Sequence, residues 1–239
     1  MTAQAPAESR KITWGQVAET EDPGLVRSVI ARETRSWGTW LLVLGVMQLI
    51  RMRDIDPIWG VLLIVVGAAS FVFRSAAMLP AYGVLLAWAM ISNLSSGDGF
   101  WMALGVVQAF LAFCTFRGFL LLRRATGRLG LGLGADPPER PDRAAAVFPF
   151  AGCALTAAAF VGVVVLIVGA GVWYALDEGG PSEQALGTAV VVLTDLACLG
   201  LALAVAALLA RYRFRTVSIL AVMGGALLLG GLMVLAVVG

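Results

Sequence analysis

Seven stretches of this sequence stay apolar for about as long as a helix needs to cross a bilayer, near residues 37–51, 57–73, 76–94, 100–122, 148–176, 185–210 and 216–238. That recurrence restricts the fold more than any motif does. Lipid offers no hydrogen bonds to a backbone, so a crossing segment satisfies its own amides as a helix or closes into a barrel. Barrel strands alternate with period two, and none of these stretches does. The expected fold class is all-α, a polytopic integral membrane protein of about seven transmembrane helices, four short and then three longer. Composition agrees. The chain is 60% apolar and 13% charged over 239 residues, against about 45–50% and 25% for soluble domains.

The same composition removes several function classes. There is no histidine, which excludes His-ligated haem and the usual zinc and non-haem iron sites. Cys114, Cys153 and Cys198 stand alone in apolar stretches, without the pairing a cluster or zinc site needs. No cofactor and no metal is therefore expected. A net charge of +2 gives no reason to expect a nucleic-acid partner. A covalently held retinal needs a lysine in the last span, and the chain's single lysine is Lys11. No nucleophile elbow, metalloprotease or phosphate-loop motif occurs, so no enzyme activity is expected.

The opening residues lack the apolar core of a secretory leader, so no cleavage is expected there. Residues 1–36 read as a polar tail ending in a short amphipathic helix, which either lies on the membrane surface or packs on another subunit. Asp22 is its cap, Pro23 its first position, and Leu25, Val26, Val29 and Ile30 its apolar face. A four-helix unit follows over 37–124. Its first span has only 14 uncharged residues, about 21 Å at 1.5 Å per residue, and must recruit its flanks. Glycines and prolines then make residues 125–146 a linker. Residues 147–239 form a three-helix unit rich in alanine and glycine.

Fifteen of the 17 Lys and Arg residues fall at one set of helix ends: the N-terminus, Arg74, the linker with its approach, and Arg211–Arg215. The positive-inside rule makes that side cytoplasmic. The N-terminus is then inside and the C-terminus outside. The excess of arginine, with abundant Ala and Gly, suits a GC-rich bacterial coding sequence and hence a bacterial inner membrane.

Asp195 is the one acid inside an apolar stretch, close to the middle of its span beside Thr194. A charged Asp at a helix centre costs about 2.5–3.5 kcal/mol on insertion scales, so desolvation favours the neutral acid. Gln48 and Gln108 are the next intramembrane polar groups, expected to bond across helices. Asp195, Thr194, Gln48 and Gln108 are the candidate proton or cation site. Asn93, Ser95, Ser96 and Asp98 read as a solvated turn.

Small residues at helical spacing mark close-packing faces: Gly60 and Gly67; Ala154, Ala158 and Gly162; Ala221 and Gly225; Ala226 and Gly230. These point to tight helix contact within the chain, to a homo-oligomer or to other membrane subunits. The leading expectation is a non-catalytic accessory or scaffold subunit of a larger membrane complex. The alternative is a small proton- or cation-coupled transporter or channel that uses Asp195.

Overall fold

A computed structural model describes residues 14–50, 57–94, 97–137, 140–176 and 182–238. The Arg51–Asp56 connection, Ser95, Ser96 and the acidic loop beginning at Asp177 lie outside the described residues. All the regular elements described are helices: α1 (Trp14–Glu19), α2 (Pro23–Ile50), α3 (Pro57–Ala69), α4 (Met78–Leu94), α5 (Gly99–Arg128), α6 (Arg143–Leu176), α7 (Glu183–Leu209) and α8 (Arg215–Val238). Four of them, α5 to α8, are long and apolar enough to cross a membrane.

Length separates the rest. The 13 residues of α3 and the 17 of α4 span about 20 and 26 Å, short of a hydrocarbon core of about 30 Å. In the turn between them Ser70, Ser75, Ala76 and Ala77 are buried, while Phe71 and Val72 are exposed. The 28 residues of α2 cover about 42 Å, yet Arg27, Arg32, Glu33 and Arg35 occupy its first half.

That helix corrects one expectation. The stretch read as a surface helix followed by a first span is a single uninterrupted helix. Its start is capped as the sequence suggests, with the Gly24 amide donating to Asp22 Oδ1 at 2.8 Å. No proline or turn residue pair breaks it afterwards. Val26, Val29 and Ile30 are buried inside the chain instead of facing a bilayer surface. The helices α1, α2 and α5 pack together there, and Arg128 Nη2 donates to the Thr20 carbonyl at 2.6 Å.

Two helical hairpins, α2–α3 and α4–α5, stand beside a three-helix unit, α6–α8. The two parts meet where α4 packs on α7. Accordingly α4 is the most enclosed helix, with Leu79, Ala81, Tyr82, Leu85, Leu86 and Ala89 all buried.

The α2–α3 hairpin closes on reciprocal glycines. A methyl on Gly67 would lie 2.8 Å from the Gly38 carbonyl oxygen, and one on Gly45 would lie 2.8 Å from that of Gly60. Both pairs are seven residues apart on their helices, so one seam of bare backbone runs along the contact. A second seam joins α6 to α7, where a methyl on Gly200 would lie 2.9 Å from the Thr156 amide and 3.1 Å from the Gly152 carbonyl.

The irregular linker is shorter than expected, 129–142, because α5 runs on to Arg128 and α6 starts at Arg143. It is also docked. Gly130, at φ +64°, turns the chain out of α5, and the Leu131 amide returns to the Thr126 carbonyl at 2.8 Å, a Schellman closure. The linker then pairs with the α3–α4 turn, Ala76 donating to Leu133 at 2.8 Å and Ala135 to Arg74 at 2.7 Å. Leu129, Leu131 and Leu133 of the Gly-Leu repeat pack on the core.

Asp142 ties three connections at this end. Its Oδ1 caps α6 through the Ala144 amide at 3.0 Å. Its Oδ2 accepts from Ser75 Oγ at 2.9 Å and from the Tyr212 hydroxyl at 3.0 Å. Burial, and secondarily the Asp142 carboxylate, push the Tyr212 phenol above its ordinary range, so it keeps the proton it donates. Tyr212 reaches this point because Arg211, at φ 57°, closes α7 with a second Schellman turn, Tyr212 N–H to the Ala207 carbonyl at 3.2 Å.

Candidate functional site

The polar groups inside the bundle divide between two places. Asp195 is buried, with 4% of its surface exposed, and lines a cavity of about 290 Å³ at the junction of the two helical parts. Gln48 of α2, Trp59 of α3, Trp88 and Ser92 of α4, Val190, Val191 and Thr194 of α7, and Leu232 and Met233 of α8 complete the wall. Five helices therefore contribute to one space, and its lining is mostly apolar. Ser92, Val191 and Met233 are exposed and form its rim.

Local geometry explains how Asp195 comes to face inward. On α7 the residues Asp195, Ala197, Cys198, Ala202 and Ala206 are all buried, so this helix turns small side chains toward α4, α6 and α8. The alanines allow the close approach, and Asp195 lies at the end of that stripe where the packing opens into the cavity. Next to it, Thr194 Oγ1 donates back one turn to the Val190 carbonyl at 2.8 Å. That bond occupies the hydroxyl proton and leaves the oxygen lone pairs available. Trp59, also on the wall, buries an indole N–H that has no hydrogen-bond partner among the described residues. The cavity thus presents a carboxyl group, an amide, two hydroxyls and an indole donor within an otherwise apolar surround. Such a set can hold a proton on the acid, or place several oxygens around a small hard cation.

Of the four polar residues expected to form one site, three line this cavity: Asp195, Thr194 and Gln48. Gln108 lies elsewhere. It is fully buried and its Oε1 accepts from Asn93 Nδ2 at 2.8 Å, joining α4 to α5. Asn93 is therefore no part of a solvated turn, since the α5 face covers it completely. Asp98 caps α5, accepting from the Phe100 amide at 2.8 Å.

The small-residue faces also separate. Gly60 and Gly67 lie in the α2–α3 seam. Gly162 meets the side chain of Leu193, and Ala221 and Gly225 face α7, where a methyl on Gly225 would lie 3.3 Å from Leu201 Cβ. Ala154, Ala158, Ala226 and Gly230 turn outward and are exposed. The face that α6 packs on α7 is Gly152, Thr156 and Ala159 instead, offset around the helix from the alanines read in the sequence.

Trp59, Trp88 and Ser92 were not expected at the site. Trp88 and Ser92 are four apart and so share a helix face. That spacing, with a tryptophan at mid-span, is the signal that could have found them. Gly38 and Gly45 repeat the spacing of Gly60 and Gly67, and that match could have identified the seam. Comparison with family models, curated proteins and solved structures finds no match to this chain.

Proposed function

We propose that the chain is a non-catalytic integral membrane protein built around a site at Asp195 that takes up a proton or a small cation. In this reading α2 to α8 each cross the bilayer once, with the arginine-bearing ends in the cytosol and the C-terminus outside. The observation that carries the proposal is the convergence of Asp195, Thr194, Gln48 and Ser92, from three helices, on one cavity between the two parts of the bundle. A buried acid in lipid needs its charge removed or balanced. Protonation does the first, and a cation held by the neighbouring oxygens does the second.

The test uses a carbodiimide, which reacts with protonated carboxyl groups in apolar surroundings. The full chain in neutral detergent is treated over a range of pH and cation concentration, and adducts are located by peptide mass spectrometry. Asp195 should be modified, less so as pH rises or cation is added, and Asp195→Asn should abolish the adduct. A folded chain in which Asp195 never reacts, or reacts independently of both pH and cation, sinks the reading.

A second reading, an accessory or scaffold subunit, is supported by Ala154, Ala158, Ala226 and Gly230. These small residues are exposed, and nothing lies within 4 Å of a methyl added at Gly230. They are the places where another subunit's helix, or a second copy, could approach closely.

A further inference from the structure

Beyond the Asp195 cavity, we infer that the arginine-rich end of the bundle carries a binding site for a phosphate group, formed by Arg74, Arg140 and Arg143. The three come from separate segments: the α3–α4 turn, the linker and the first residue of α6. All three line one mostly polar cavity of about 470 Å³, together with Phe71, Val72, Asp136 and Pro141. Three arginines thus line one space with a single carboxylate residue, Asp136, on its described wall.

Asp142 lines a small adjoining cavity with the same three arginines, so among the described residues three arginines stand against two carboxylates, and Asp142 offsets part of their charge without an ion pair. Both oxygens of Asp142 are already engaged, by the Ala144 amide on one side and by Ser75 and Tyr212 on the other. Among the described residues none of the three arginines makes an ion pair. Arg74 has only a long bond from Nε to the Phe71 carbonyl, at 3.4 Å. The docking of the linker onto the α3–α4 turn through Ala76–Leu133 and Ala135–Arg74 fixes where Arg74 and the linker stand relative to each other. The arginines are therefore gathered by the fold and are not simply scattered over a charged surface.

Guanidinium is a planar fork of donors matched to phosphate oxygens, and three of them around one cavity suit an anion with several acceptor oxygens. The apolar side of the same cavity indicates the source. Phe71 and Val72 are 43% and 55% exposed at the end of an apolar helix, where acyl chains would lie. Basic pockets at the cytoplasmic ends of membrane helices commonly hold anionic lipid headgroups in this way. A phosphodiester headgroup held by the arginines, with its glycerol and chains passing over Phe71 and Val72, accounts for both halves of the lining.

The experiment measures thermal unfolding of the full chain in neutral detergent by tryptophan fluorescence. Phosphatidylglycerol, phosphatidylcholine or inorganic phosphate alone is titrated in. Phosphatidylglycerol should raise the midpoint and phosphatidylcholine should not. Arg140→Gln, an exposed linker position that leaves the helices intact, should weaken the apparent affinity by about tenfold, and Arg74→Gln should act likewise. Arg124→Gln, the same charge change on the exposed face of α5, should leave it unaltered. If inorganic phosphate reproduces the shift and Arg140→Gln weakens it, the phosphate site stands and its source is soluble. The inference is overturned by no shift with either phosphatidylglycerol or phosphate, or by equal weakening in the Arg140 and Arg124 variants. Neither result depends on Asp195.

Discussion

Replacing Gly67 by alanine tests the account of how the first hairpin closes. The added methyl would lie 2.8 Å from the Gly38 carbonyl oxygen, 2.9 Å from Leu42 Cγ and 3.0 Å from the Leu42 amide nitrogen. Two of these three atoms belong to the facing backbone, which cannot swing aside. To restore an ordinary contact, α2 and α3 must separate by about 0.6 Å, a gap that forfeits roughly a quarter of each dispersion contact along the seam. Overpacking of this kind costs about 1–3 kcal/mol. Alanine returns up to about 1 kcal/mol through helix propensity, so the net loss is about 1 kcal/mol. Gly187→Ala in α7 is the control, because nothing lies within 4 Å of a methyl there; it should gain about 0.5–1 kcal/mol. The sign of the effect therefore reverses between two chemically identical substitutions. Adding Gly45→Ala to Gly67→Ala should cost less than the sum of the two, because the first already opens the shared seam. Reversible unfolding of the purified chain in mixed detergent micelles gives the free energies. A Gly67→Ala chain as stable as Gly187→Ala, or strictly additive seam substitutions, would refute the reasoning.

Tyr212→Phe removes the hydroxyl that donates to Asp142 and meets Ser75, and should cost about 1 kcal/mol at neutral pH. The folded-state phenol titrates above its unfolded value of 10.0, so its contribution is complete below pH 10 and is lost as pH climbs beyond that. Unfolding midpoints of wild type and variant should therefore differ at pH 8 and converge in strong alkali; parallel profiles would count against the tie. Asn93→Leu and Gln108→Met should each cost about 1–2 kcal/mol by orphaning a buried amide partner. The double variant should cost clearly less than their sum, measured by the same unfolding assay, and full additivity would mean that the 2.8 Å bond between them carries no coupling.

The cap at Asp22 and the closeness of Gly60 and Gly67 to a neighbour are legible in the sequence because each depends on local chemistry. An Asp-Pro pair starts a helix whatever lies around it, and two glycines seven apart share a face on any helix. The candidate site was only half legible for the opposite reason. Asp195 stands out wherever an acid interrupts apolar residues, but nothing local pairs Gln48 with it and sends Gln108 to Asn93. Those assignments follow from which helices are neighbours. Likewise Asn93 looks solvated beside Ser95 and Asp98 until the α5 face covers it, and Ala154 and Ala158 look like a packing face until Gly152 and Thr156 take that contact.

Apolar run length and the backbone's need for hydrogen bonds in lipid determined by themselves that this chain is helical and suited to a bilayer. They could not decide that α2 is one helix instead of two, that α3 stops at 13 residues, or that the Gly-Leu linker docks beside Arg74. Each of these depends on contacts between residues far apart in the chain. A side chain's own periodicity fixes the face it occupies, but only the arrival of another helix decides whether that face is buried, wet or in lipid.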